Sequence, residues 1–103
     1  MTVRGKKKAE ARKRELIHQL LDLTLDINGS GERNQELTRD LPTAFFQFSG
    51  HIAKVDVDIH DYGWRSYHNR DENINVYTYE TANLENSVKE LQAIRDRLIT
   101  RKA

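Results

Sequence analysis

Ala53 to His60 reads AKVDVDIH, and its strict alternation is the feature that most constrains the fold. Ala53, Val55, Val57 and Ile59 take one set of positions; Lys54, Asp56, Asp58 and His60 take the other. Successive side chains of a strand point to opposite faces, so this pattern predicts a β-strand with one buried and one wet face. The strand is expected to begin at His51. Phe45 to Phe48 reads as the preceding strand, with Ser49-Gly50 suited to a tight two-residue hairpin or a bulge. Ile74 to Glu80 reads as a third strand, with Ile74 and Val76 on one face and Tyr77 and Tyr79 on the other.

The flanks have a different period. Leu16, Leu20, Leu23 and Ile27 recur at helical spacing, widened by Ile17, Leu21 and Thr24, which predicts an amphipathic helix over Ala9 to Ile27. Asn28-Gly29 supplies the left-handed stop. At the other end Asn83 suits a helix cap, and Leu84, Val88, Leu91, Arg95 and Leu98, supplemented by Ile94, form a second stripe. Gly29 to Pro42 is polar and turn-rich, with room for one helical turn at Gln35 to Arg39. Two amphipathic helices need somewhere to bury their stripes, and one sheet face can take both. The fold expected is α+β in the order αβββα, with both helices on one face of a three-stranded antiparallel sheet.

Charge is distributed unevenly. Residues 1–14 carry Arg4, Lys6, Lys7, Lys8, Arg12, Lys13 and Arg14 against the single acid Glu10, a balance of +6. The whole chain is +1, so residues 15–103 sum to −5. The expected organisation is a basic arm over 1–14, extending the helix by a turn or two or lying disordered, and one domain over 15–103. Such an arm can neutralise phosphates of nucleic acid or dock on an acidic protein face.

Other features exclude more than they assign. With no cysteine, disulfides, thiolate catalysis and cysteine-ligated zinc are ruled out. No apolar run reaches the roughly 18–20 residues of a membrane span, and His18, Gln19, Asp22 and Asp26 break the run that a secretory leader would need, which leaves the cytoplasm as the expected location. There is no Ser-His-Asp order, phosphate-cradling glycine loop or HExxH pattern, so no enzyme and no cofactor are expected. Asp56, Asp58 and His60 share a strand face, but neighbours two apart stand about 7 Å from each other, too far to converge on one metal ion unaided. They read instead as an acidic face toward solvent or a partner. Tyr62, Trp64 and Tyr67, interleaved with Arg65 and Arg70, have the composition of an interface hot spot or a base-stacking platform; alternatively Trp64 caps one end of the core.

Two resemblances follow. The order helix, three strands, helix resembles the double-stranded RNA-binding domain, and Gly50-His51-Ile52-Ala53-Lys54 looks like the start of that family's second strand. Where that family has a lysine cluster at its last helix, this chain has Ala82-Asn83-Leu84-Glu85-Asn86. Phe45 to His51, running into the alternating strand and ending at Tyr62-Gly63-Trp64, resembles small accessory proteins of Gram-positive phages and mobile elements. That second likeness implies a non-enzymatic inhibitor of a host nucleic-acid-processing complex, such as an anti-CRISPR protein blocking an RNA-guided nuclease in the host cytoplasm. In that reading the basic arm would engage guide RNA, DNA or an acidic face, while Asp56, Asp58 and the Tyr62–Tyr67 loop would supply shape. The other expectation is a stand-alone RNA- or DNA-binding regulatory module.

Overall fold

The computed structural model describes residues 3–65 and 69–102. Helix α1 (Val3–Asn28) leads through a short α2 (Gln35–Thr38) into strands β1 (Thr43–Ser49), β2 (Lys54–His60) and β3 (Glu72–Tyr77), and α3 (Thr81–Lys102) follows. The strands form an antiparallel sheet in the order β1-β2-β3. Both long helices pack on one face of it, α1 over β1 and α3 over β3, and lie against each other. This is the αβββα arrangement that the patterning predicts.

The register follows from the alternation. Ala44 lies opposite Ile59, Phe46 opposite Val57 and Phe48 opposite Val55; Val57 and Val55 in turn face Ile74 and Val76. These residues form the helix-facing side, and Val55, Val57 and Ile59 are fully buried there. Leu16, Leu20, Leu23 and Ile27 from α1, with Leu84, Val88, Leu91, Ile94 and Leu98 from α3, complete the core. Phe45, Gln47, Lys54, Asp56, Asp58, Asn73, Asn75 and Tyr77 take the opposite, helix-free face, as period two requires.

The element bounds depart from the sequence reading at several places. Residues 51–53 are a turn, not strand: Ile52 N–H donates to the Ser49 carbonyl at 3.3 Å, and Ala53 sits at φ 52°. The hairpin loop is therefore Gly50 to Ala53, not the two-residue Ser49-Gly50. β3 begins two residues early, where Glu72 pairs with Ile59, and stops at Tyr77 because the chain turns there, Glu80 N–H reaching the Tyr77 carbonyl at 3.2 Å. α3 starts before Asn83, with Leu84 N–H already donating to Glu80 at 3.0 Å. Ile94 holds the core position in α3; Arg95 instead reaches out to Asp26 at 2.8 Å and joins the two helices.

α1 is helical from Val3, so the basic segment is a helix extension. Its 26 residues span about 39 Å at 1.5 Å per residue. Among the described side chains the first fully buried one is Leu16, and the turns before it reach past the core. The Cα radius of gyration, 15.2 Å, exceeds the roughly 13 Å of a compact chain this long, as a projecting helix would cause. Among the described residues, no helix is long and apolar enough to cross a membrane.

Candidate nucleic-acid interface

The helix extension presents charge on all sides. At 100° per residue, Lys7 and Arg14 fall on one side of α1, Lys8 and Arg12 on a second, and Lys13, half-buried, on a third in line with Leu20. Two of these cations are engaged within the chain. Arg14 pairs with Glu10 at 3.3 Å; Arg12 reaches Glu15 at 3.3 Å and Glu85 of α3 at 3.7 Å. Lys7, Lys8 and Lys13 pair with no carboxylate among the described residues. Arg4 and Lys6 belong to the same helix, but their side chains lie outside the described structure.

This charge sits at the wrong end of a helix for internal stability. A helix N-terminus carries a partial positive charge and favours anions, and the first turn of α1 holds no acid. Cations crowded there repel one another and the dipole. An external anion would relieve both.

The other sequence candidates have different surroundings. Asp58 accepts from Arg70 at 3.0 Å and from Asn73 at 2.6 Å, and Asp56 lies 3.9 Å from the Lys54 ammonium. The acidic strand face is thus largely answered by its own neighbours. His60 is buried at the end of the strand against Phe45, the rings edge to face at 5.7 Å. Among the described residues, no group of three or more His, Asp or Glu side chains is arranged to hold a metal ion. Tyr67 lies outside the described residues.

Trp64 does not cap the core; it is about half exposed and lines an open cleft of roughly 300 Å³ with Phe45, Thr43, Arg33 and Arg39. Local constraints build this cleft. Arg33 donates to the carbonyls of Asn28 and Pro42 (the latter at 2.9 Å) and to Thr43 Oγ1 at 2.9 Å, fixing the long loop against the start of β1. Arg65 bridges from the Tyr62 carbonyl (3.1 Å) to Asp40 (2.7 Å), so it ties two loops together. Gly63, at φ 90°, lets the loops touch: a Cβ there would stand 2.1 Å from the Arg39 carbonyl oxygen. Arg33, Arg39 and Phe45 escaped the sequence reading because only the loop crossing brings them to Trp64.

The basic extension and the Trp64 cleft do not form one site. The cleft adjoins Arg33 and Thr43, beside the C-terminal end of α1, so most of the helix length separates it from Lys7 and Lys8. The acidic strand positions lie between, on the helix-free face. Comparisons with protein-family models, curated proteins and solved structures found no match for the chain.

Proposed function

We propose that this protein works by binding, with the N-terminal extension of α1 seated among phosphates of RNA or DNA, alone or within a nucleoprotein. The observation that carries the reading is the set Lys7, Lys8 and Lys13, unpaired among the described residues and turned to different sides of a helix that reaches beyond the core. A flat acidic protein face would use cations on one side only. A groove flanked by two phosphate strands uses several sides at once, and the major groove of B-form DNA admits an α-helix. Phosphate charge would also relieve the crowding at the helix N-terminus.

In its more specific form, drawn from the likeness to phage accessory proteins, the bound complex is a host RNA-guided nuclease and the outcome is inhibition. The exposed Tyr62 and Trp64 would then supply the protein-facing contact. The test is titration of labelled RNA and DNA duplexes at several salt concentrations with wild-type protein and the K7E/K8E/K13E variant. Binding that weakens steeply with salt, and is lost in the variant without loss of helical circular dichroism, is the expected result. Equal binding by the variant would overturn the phosphate reading. Binding only to a nuclease–RNA complex, retained after free nucleic acid is digested, would select the inhibitor form over the stand-alone module.

A further inference from the structure

β3 is an edge strand, and the pairing fixes which of its backbone groups point outward. Thr78 N–H donates to the Ala53 carbonyl at 2.8 Å, so Thr78 faces β2, and by alternation Val76 and Ile74 do too. Asn73, Asn75 and Tyr77 therefore direct their N–H and C=O groups away from β2. The Tyr77 carbonyl already accepts from Glu80 N–H at 3.2 Å, and the other five outward groups bond to no described residue. Nothing in β3 blunts this edge, since the strand has neither proline nor lysine.

α3 packs over β3, and a groove of about 250 Å³ runs between the helix and this edge beside Val76. Asn83, Asn86, Ser87 and Glu90 line it as one helical stripe, and Glu80 joins them from the turn after β3. None of these five side chains forms a hydrogen bond or ion pair with a described residue. Ser87 is only 7% exposed, yet its hydroxyl has no such partner. No described lysine or arginine lines the groove.

We propose that this edge binds an extended segment of another protein, added antiparallel to β3 with a lysine or arginine directed into the groove. A row of outward backbone donors and acceptors is matched by another extended backbone. The two unpaired carboxylates select a basic side chain, and the hydroxyl and amides accept its remaining N–H groups. A second copy fits poorly, because its β3 would bring a second α3 onto the same sheet face and set the same acids against each other. In the antiparallel register the segment's residue opposite Val76 shares the α3-facing side and meets Glu80 and Glu90. Its neighbours, opposite Asn75 and Tyr77, make main-chain hydrogen bonds. The inference is independent of the phosphate reading, since it uses neither α1 nor Trp64.

The probe is the peptide acetyl-TVTKTVT-amide, titrated into the nitrogen-15-labelled full chain. Its lysine would lie opposite Val76, its fifth residue opposite Asn75 and its seventh opposite Asn73. Saturable amide shifts should concentrate on Asn73, Asn75, Tyr77 and Ser87. Replacing the lysine by glutamate should weaken binding about tenfold or more. The Glu80→Lys/Glu90→Lys variant should reverse that preference; both acids are exposed, so its far-ultraviolet spectrum should not change. Methylating a peptide nitrogen tests the edge without altering the protein. At the fifth residue it should abolish binding; at the lysine, whose N–H points away from β3, it should not. Absence of saturable shifts, shifts confined to another surface, equal affinity for the lysine and glutamate peptides, or any other methylation pattern overturns the proposal.

Discussion

Asn28 ends α1 and also fastens it to the sheet. Gly29 follows at φ 73° with its N–H 2.6 Å from the Leu25 carbonyl, the left-handed stop that Asn-Gly announces in sequence. The amide of Asn28 then acts as a short surrogate strand for Ala44. Asn28→Ala should leave two backbone groups without partners and lower unfolding free energy by about 1–3 kcal/mol, read from the shift in urea midpoint. Gly63→Ala should cost on the order of 2 kcal/mol or more by the same measurement, since a methyl there strikes the Arg39 carbonyl. Arg95 and Arg97 act across elements. Side-chain hydrogen bonds, to Asp26 first for Arg95 and to Asp61 first for Arg97, hold both guanidiniums above their ordinary pKa. A raised folded-state value contributes stability that is complete below the ordinary value and lost only above it. On the arginine side these contributions therefore persist through neutral pH and fade in strong alkali.

Among the elements, α1 divides its length between two tasks. From Leu16 to Ile27 it supplies core side chains; before that it supplies charge. Removing residues 1–8 should therefore leave the thermal midpoint within about a degree or two, because none of their described side chains belongs to the core and the Arg12–Glu85 contact stays. The same deletion should flatten the dependence of nucleic-acid affinity on salt, since each lost phosphate contact lowers the slope by nearly one. A collapsed midpoint would mean that the extension packs on the body. β2 shows why alternation was such a reliable guide: it is the central strand, paired on both sides, so its apolar residues have only one direction in which to be buried. The edge strands are less constrained. Phe45 and Phe46 look alike in sequence, yet Phe46 packs on the core while Phe45 turns to the helix-free face against His60.

For the whole molecule, charge is divided by position: the cations of residues 1–14 extend α1 beyond the core, while residues 15–103 sum to −5. The sequence by itself determined the order αβββα, the antiparallel sheet, the stripes of both helices and the cationic extension. These follow from local periodicity and from charge along the chain, which a sequence carries directly. Tertiary structure alone decided that the acidic strand face is answered by Lys54, Arg70 and Asn73, and that Arg65 braces a loop. It also decided that Trp64 meets Arg33 and Arg39, and that the arm and the cleft lie far apart. Each of these is a meeting of residues distant in sequence. No period along the chain encodes which loops cross, so packing had to settle it.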